Sequence, residues 1–339
     1  MSTLRHPPVF RVASRIGNHI ALVSEGPAVV HIFVLDDDII RVMVLPDGTL
    51  KQPRSWTIAP GLEDVPADGR DRFDLSGFSL PNFELKEESG KLVIATAQLR
   101  LSIRLNGFFC SWKDAEGRPL LRDRPTQAYN FGWWDEKVHH YLVRDPAEMY
   151  FGLGERSGEV NRAGRRFRMC NVDAMGYDAR TSDPLYKHIP FYITRKSAGT
   201  AAGLFYDTLS DSTFDMGCER SNYHGLFRSF AADHGDLDYY VIAGAIPDIV
   251  LRFTWLTGRP AFLPKWALGY SGSTMSYTDR PDAQAAIMEF IAKCEEHDIL
   301  CDSFHLSSGY TSIGNKRYVF HWNRDKFPDP AGFVRAYAG

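Results

Sequence analysis

The hydrophobic periodicity of this sequence changes once, near residue 255, and that change limits the folds open to the chain. Before it, short apolar runs alternate with turn-forming residues, and helical periodicity is weak. The run Leu99–Leu105 alternates apolar and polar residues, which is typical of an antiparallel strand with one wetted face. Short strands at this spacing predict a β-sandwich. The clearest predicted strands are Val29–Leu35, Ile39–Leu45, Lys91–Thr96 and Leu99–Leu105.

After residue 255 the pattern is typical of a parallel α/β fold. Apolar residues at helical spacing predict an amphipathic helix, with Asp279 or Asp282 as its N-cap. A short buried strand is expected on either side of this helix, and a second helix follows. Strand, helix, strand and helix in that order open a parallel α/β fold. The predicted elements are Trp266–Ser271, Asp282–Glu296, Ile299–Leu306 and Pro330–Tyr337.

A stretch rich in Gly and Pro, Thr257–Pro264, separates two predicted domains, residues 1–256 and 257–339. A (β/α)₈ barrel needs about 250 residues, far more than the second domain contains. Two strands with two helices would leave a sheet edge and an apolar face uncovered. We therefore expect this chain to be the N-terminal part of a longer protein.

Composition argues against several classes of partner. The 39 Lys and Arg residues nearly balance 42 Asp and Glu, without a basic block, which disfavours nucleic acid and anionic membranes as partners. No apolar run approaches the ~18 residues of a membrane span. The N-terminus shows no signal peptide, and five scattered cysteines form no CxxC pair. We expect a cytoplasmic protein without structural disulfides, metal or cofactor, and the sequence leaves its oligomeric state open.

Four groups of motifs follow one another from residue 150 to the end of the chain. They are Tyr150–Arg156; Asn171–Ala174 with Tyr177, Asp178 and Asp183–Phe191; Leu256–Pro260 with Leu263–Tyr270; and Arg317–Asn323 with Lys326–Pro330. In this order they resemble glycoside hydrolase family 31, the α-glucosidase and α-xylosidase family. The resemblance implies a mutarotase-like β-sandwich followed by the truncated start of a (β/α)₈ TIM barrel, in agreement with the change in periodicity.

The resemblance also implies retaining hydrolysis of an oligosaccharide or small α-glycoside. Such hydrolysis needs two carboxyl groups about 5–5.5 Å apart. In the family both are Asp residues, on the fourth and sixth barrel strands, whereas this chain reaches the second strand. We therefore assign no catalytic residue here, expect the pair beyond Gly339, and expect the 339-residue chain alone to be inert.

Part of the family's sugar pocket is implied within this chain. Asp173 matches a position on a sandwich loop that reaches over the barrel mouth and accepts hydrogen bonds from a sugar; alternatively, it bonds its own backbone. Ser307 and Gly309 stand where family members carry Asp residues after the second barrel strand. Met275 follows the first strand in a stretch that also departs from the family. Ser307 and Met275 are predicted to contact substrate, and the alternative is ordinary packing at strand ends.

Other clusters suggest structural roles. Gly152–Gly154 predicts a tight turn, and strand alternation predicts that His139 and His140 point apart rather than share a metal. Arg162–Arg168 predicts a solvated strand face. An aromatic group is interpreted as sandwich core, with sugar stacking as the alternative. Its members are Tyr129, Phe131, Trp133 and Trp134.

Two other functions stay open at this point. One is a non-catalytic carbohydrate-binding or assembly module that kept the sandwich and lost the barrel. The other is a barrel with lyase or transglycosylase chemistry, since the family also contains such enzymes. Oligosaccharide binding that survives Asp173→Ala would favour the module.

Overall fold

Antiparallel strands are the main regular elements before residue 244 in the computed structural model, which describes residues 8–132 and 135–338. The chain divides into two units, residues 1–259 and 260–339. The first unit ends with helix α1 (Ile246–Leu256). Its strands are β1 (Phe10–Ile16), β2 (His19–Ser24), β3 (Val29–Asp36), β4 (Ile39–Leu45), β5 (Arg54–Ser55), β6 (Arg70–Asp71), β7 (Glu84–Glu88), β8 (Lys91–Ala95), β9 (Leu99–Arg104), β10 (Phe109–Asp114), β11 (Pro119–Arg122), β12 (Val138–Val143), β13 (Met149–Gly152), β14 (Arg166–Met169), β15 (Phe191–Arg195), β16 (Ala201–Tyr206), β17 (Ser212–Asp215), β18 (Phe227–Ala232) and β19 (Leu237–Ala243).

These strands build the predicted sandwich. Within the described residues, one sheet has eight strands in the order β1-β2-β3-β4-β19-β16-β15-β13. The other layer consists of a five-stranded sheet, β11-β10-β9-β8-β7, and a four-stranded sheet, β12-β18-β17-β14. Alternate residues of the large sheet, such as Val42 and Val241, share one apolar core with Leu101 and Trp112 of the facing layer. The strand predictions at β3, β4, β8 and β9 are confirmed to within one residue at each end.

Helix α1 was not predicted, and it explains why β4 is buried along its whole length. One face of β4 packs into the sandwich core, while Ile39 and Met43 on the other face form a second cluster with Ile249 and Leu256 of α1. Pro247 in the first turn, followed by Asp248, is a usual helix start. The expectation of strands up to residue 255 is therefore wrong for residues 246–255, which belong to this helix.

A buried ion network lies on the α1-facing side of the large sheet. Asp238 accepts hydrogen bonds from Arg41 Nε at 2.8 Å and from Arg72 Nη1 at 2.6 Å. Arg72 also pairs with Asp207 at 2.7 Å, and all four side chains are at most 4% exposed. Burial acts to raise the pKa of Asp238, but the two guanidinium groups hold that pKa below its usual value. The network therefore stays charged inside the fold.

The histidine pair divides as the strand alternation predicts. His140 is buried on β12 and hydrogen-bonds Asp123 at 3.0 Å and the Tyr206 hydroxyl at 2.9 Å. His139, on the opposite face, contacts Asp135 at 3.2 Å. His140 also stacks on the Tyr129 ring, 4.8 Å away between centroids. The residue therefore acts as a hydrogen-bonded part of the core.

The other structural interpretations had mixed outcomes. Tyr129 and Phe131 belong to the core as predicted, whereas Trp133 and Trp134 lie outside the described residues. All three residues of Gly152–Gly154 have positive φ angles, which confirms the tight turn. Two members of the arginine run lie on an exposed face, where Arg166 pairs with Asp215 and Arg168 with Asp211. Arg162 is instead buried and donates to the Glu159 carbonyl at 2.8 Å, so the prediction of a solvated face is wrong for it.

The second unit begins as a parallel α/β structure. Its core is a small hydrophobic cluster, which includes Ile287 of the longest helix and Phe333 of the last helix. Within residues 8–132 and 135–338, no helix is both long and apolar enough to cross a membrane. The elements of this unit are β20 (Ser271–Ser273), α2 (Met275–Thr278), α3 (Ala283–Glu296), β21 (Ser303–His305), β22 (Ser312–Ile313), β23 (Lys316–Arg317) and α4 (Pro330–Ala338), with 3₁₀ helices at Lys265–Leu268 and Ser308–Thr311.

Both predicted helices of this unit are confirmed, but its strands are shorter than expected. Residues 265–268 form a 3₁₀ turn in which the Ala267 N–H donates to the Pro264 carbonyl at 3.0 Å. Trp266 and Leu268 are consequently 58% and 75% exposed rather than buried. Residues 299–302 were expected to begin the second strand, but they form the turn that follows α3. In this turn the Ile299 N–H donates to the Cys294 carbonyl.

The predicted cap of α3 is confirmed only in position. Asp282 occupies the N-cap site, but its carboxylate makes two 2.8 Å hydrogen bonds to Arg280 instead of binding the helix amides. Asp279 ends α2 rather than capping α3. The first turn of α3 is therefore not capped by an acidic side chain.

A pair of histidines on β2 and β3 predicts acid sensitivity. His19 Nε2 and His31 Nδ1 share a 2.9 Å hydrogen bond. Burial, the neighbouring His19 and Arg41 together lower the pKa of His31 from 6.5 to about 4, against an opposing effect of Asp238. The unfolded chain therefore binds a proton in this pH range that the folded chain does not, and stability falls as the pH drops from 6.5 towards 4.

This is measured by urea unfolding at about pH 7.5 and about pH 5. We expect His31→Gln to reduce the loss of unfolding free energy between the two pH values. The matched control is His321→Gln, an exposed histidine of the second unit, which should leave that loss unchanged. An equal pH dependence in all three proteins would contradict the assignment.

Candidate functional site

Asp173 lies on an exposed loop, residues 170–190, between β14 and β15. Its Oδ1 atom accepts a 2.6 Å hydrogen bond from the Tyr186 hydroxyl, which raises the pKa of Tyr186. In the described part of the chain, Oδ2 of Asp173 accepts no hydrogen bond. One carboxylate oxygen is thus fixed by the protein, and the other is free to accept a ligand hydroxyl.

The buried guanidinium of Arg156 anchors the two ends of this loop. It donates to the carbonyls of Leu153 and Arg168 at 3.1 and 3.0 Å, and to that of Lys187. It also pairs with Asp183 at 3.4 Å. Burial lowers the pKa of Arg156, while Asp183 opposes that effect. The base of the loop is therefore fixed by polar contacts, while the segment around Asp173 faces solvent.

The same loop exposes large side chains near Asp173 in the sequence. Met175 is 75% exposed, Tyr177 57% and Tyr186 49%. Aromatic side chains combined with a few hydrogen-bonding groups are the usual lining of small-molecule sites. Tyr186 belongs to the second motif group, but nothing in the sequence marks it as a site residue, because its contact with Asp173 depends on the folded loop.

Met275 and Ser307 lie at one edge of the second unit. Strands β20 and β21 are parallel, with Ser271 opposite Ser303 and Ser273 opposite His305. Each candidate follows its strand by two residues, so both stand at the carboxyl edge, where barrel enzymes place their active sites. Met275 begins α2 and is 49% exposed, while Ser307 is partly buried. Asp173, the third candidate, belongs to the first unit.

Gly309 has no room for a side chain. A Cβ atom there would lie 2.5 Å from the carbonyl carbon and oxygen of Thr278 and 2.6 Å from Oδ1 of Asp279. The family resemblance leads one to expect a carboxylate at position 309, but the backbone of α2 closes over this position. The carboxylate of Asp279 instead lies where the side chain of residue 309 would begin.

Asp279 forms a paired charge at this edge. Arg317 donates to its two oxygens at 3.0 and 3.2 Å, and these hydrogen bonds lower the pKa of Asp279. A lowered pKa suits a hydrogen-bond acceptor rather than a general acid. From the sequence alone, Asp279 is a candidate only for a helix cap, since its partner Arg317 lies 38 residues further along the chain.

The fourth motif holds the segment after β21 in place. Lys326 Nζ donates to Ser312 Oγ at 2.8 Å, and to the carbonyls of Thr278 and Gly309 at 3.4 Å each. Phe327 is fully buried and packs edge-on against Phe333 of α4. This motif therefore positions α4. Across residues 8–132 and 135–338, no three His, Cys, Asp or Glu side chains are grouped so as to hold a metal ion.

Comparison with known proteins identifies both units. Residues 29–215 match the family model of the glycosyl hydrolase 31 N-terminal galactose mutarotase-like domain. Residues 260–338 match that of the glycosyl hydrolases family 31 TIM-barrel domain. The first match covers more than half of the chain, and the two follow one another in the order that the sequence resemblance implies.

Individual relatives agree with the family models. Alpha-glucosidase 2 of Bacillus thermoamyloliquefaciens is 28% identical over 86% of this chain and 33% of its own length. Alpha-xylosidase XylQ of Lactiplantibacillus pentosus is 32% identical over 71% of this chain and 30% of its own. This chain therefore spans about a third of the length of these two curated relatives.

A solved structure supports the same assignment. The family 31 dextranase of Flavobacterium johnsoniae, complexed with glucose, aligns with a TM-score of 0.78 and 26% identity over 98% of this chain and 37% of its own. A mutant of that dextranase is described in complex with isomaltotriose. From these matches and the observed architecture, we conclude that the chain belongs to glycoside hydrolase family 31 and comprises its mutarotase-like N-terminal domain and the start of its TIM barrel.

Proposed function

We propose that this chain is the N-terminal, substrate-positioning part of a retaining α-glycosidase that acts on α-glucoside-like oligosaccharides. The observation that supports this most strongly is the pair of family matches, sandwich then barrel. One α-glucosidase and one α-xylosidase also align over 86% and 71% of the chain. The proposal assigns residues 1–256 to the sandwich domain and 257–339 to the barrel. It assigns both catalytic carboxylates to barrel strands outside these 339 residues.

Three residues are proposed to contact the sugar. Asp173 accepts a hydroxyl hydrogen bond through Oδ2, while Tyr186 holds its other oxygen. Ser307 makes a weaker, uncharged hydrogen bond, and Met275 offers apolar surface at the same strand edge. Five free cysteines support our further proposal that the protein is cytoplasmic.

Calorimetry with isomaltotriose and maltotriose tests the role of Asp173. We expect Asp173→Ala to weaken binding by about 10- to 100-fold, since a hydrogen bond to a charged group contributes about 1.5–3 kcal/mol. The matched control is Asp178→Ala on the same loop, because that carboxylate accepts the local N–H groups of Arg180 and Thr181 instead. It should leave the affinity unchanged.

Three results would contradict parts of the proposal. If the unaltered chain binds neither sugar, or binds equally well after Asp173→Ala, Asp173 does not position the substrate. Binding that survives the substitution would favour a non-catalytic carbohydrate-binding module. Hydrolysis of an aryl α-glycoside by the purified 339-residue chain would overturn the assignment of the catalytic carboxylates.

A further inference from the structure

Two of the five cysteines, Cys294 and Cys301, come together at the end of α3. Cys294 lies in the last turn of the helix. Asp298 then adopts a left-handed conformation with φ at 54°, and the Ile299 N–H donates to the Cys294 carbonyl at 2.8 Å. This turn carries the following residues back across the helix end. As a result, Cys294 and Cys301 line the same cleft beside the helix end.

A cleft gives access to this pair. Its volume is about 420 Å³, and both cysteines line it together with Ile291, Asp298 and Leu300. Cys294 is only 6% exposed, whereas Cys301 is partly exposed. A small reagent that enters the cleft therefore meets the Cys301 sulfur more readily than the Cys294 sulfur.

The surroundings of the two thiols differ. Cys301 donates to the Ser303 carbonyl at 3.4 Å, and its sulfur lies 3.8 Å from the Tyr337 hydroxyl of α4. Burial, with a contribution from Cys301, raises the pKa of the Cys294 thiol. Exposure and these contacts make Cys301 the first thiol to react and Cys294 the second.

We propose that Cys294 and Cys301 form a redox-active dithiol that is converted reversibly to an intramolecular disulfide. The oxidant is a low-molecular-weight disulfide. The Cys301 thiolate attacks one of its sulfurs, forms a mixed disulfide and releases one small thiol. The Cys294 thiolate then attacks the Cys301 sulfur and releases the second small thiol. Two protein thiols are oxidised and one small disulfide is reduced to two thiols, so atoms and electrons balance.

The bridge would join the end of α3 to the chain that leads into β21. It would also remove the hydrogen that Cys301 donates to Ser303, and so alter the contact with Tyr337. The first helix-to-strand connection of the barrel would then be fixed covalently. This inference depends only on the second unit and is independent of the proposed glycosidase activity.

Mass spectrometry after treatment with oxidised glutathione tests the proposal. The chain is oxidised folded and, in parallel, unfolded in urea; free thiols are then alkylated and the protein is digested with trypsin. Both cysteines fall in one tryptic peptide, residues 294–316, so the bridge appears as an unalkylated peptide lighter by two hydrogens. We expect the effective concentration of one thiol for the other to be at least about tenfold higher in the folded chain.

Variants separate the two steps. Cys294→Ser should stop at a glutathione mixed disulfide on Cys301, and the exposed Cys218→Ser control should oxidise like the unaltered chain. A folded-to-unfolded ratio of one or less would overturn the proposal, as would alkylation of both thiols after oxidation of the folded chain. The ratio is measured on the unaltered chain, so the test does not depend on the folding of any variant.

Discussion

Replacing Asp238 with alanine is expected to lower the free energy of unfolding by about 3–5 kcal/mol. The substitution leaves two buried guanidinium groups, Arg41 and Arg72, without the carboxylate that they share. Asp207 continues to pair with Arg72 at 2.7 Å, but no second carboxylate is bonded to Arg41 in the described residues. Urea unfolding near neutral pH measures the loss, with fluorescence of the buried Trp112 as one possible signal.

The matched control is Asp47→Ala, which removes an exposed pair with Lys51 at 3.5 Å. Such surface pairs contribute about 0–1 kcal/mol. Because the folded pKa of Asp238 is lowered, its stabilising effect is present above the unfolded pKa and is lost as the pH falls through the folded pKa. If Asp238→Ala costs no more than Asp47→Ala, the network does not stabilise the fold as argued.

Restoring an acidic residue at position 309 is expected to destabilise the second unit by about 3 kcal/mol or more. In Gly309→Asp, the new Cβ would lie 2.5 Å from the Thr278 carbonyl, which is backbone and cannot rotate away. The added carboxylate would also compete with Asp279 for Arg317. Native-state hydrogen exchange of α3 amides measures the effect on this unit, while amides of the large sheet report on the first.

Ser308→Asp provides the control, since it adds the same charge at the adjacent, exposed position. It should change the exchange of α3 amides by less than about 0.5 kcal/mol. If Gly309→Asp and Ser308→Asp have equal effects, charge rather than lack of space limits this position. The prediction about Gly309 would then be wrong.

Hydrophobic periodicity predicted the positions of the strands better than it predicted the elements that pack against them. Leu99–Arg104 alternates because one face is wet, so its pattern is visible in the sequence. β4 is apolar nearly throughout because the sandwich core covers one face and α1 the other. An apolar run of this kind indicates burial but not the partner, and this is why a helix of eleven residues escaped prediction.

Long-range polar contacts were beyond sequence reasoning. Arg41 and Asp238 are 197 residues apart, and each alone looks like an ordinary polar residue within a strand. The same holds for Asp279 and Arg317, and for Asp173 and Tyr186, whose pairing depends on how a loop folds. Motifs located the regions of the candidate site, whereas only coordinates show which side chains meet there.

The pairing of β4 with β19 has a consequence for how the protein is made. β4 ends at Leu45, and its neighbour in the sheet begins only at Leu237. Ribosomes add about 5–20 residues per second, so β19 is synthesised about 10–40 s after β4, and one edge of β4 stays unpaired during that time. During that interval the unpaired N–H and C=O groups of β4, at the edge of a four-stranded apolar sheet, can pair with strands of other chains. We expect newly made chains to depend on chaperones for longer than their size alone would suggest.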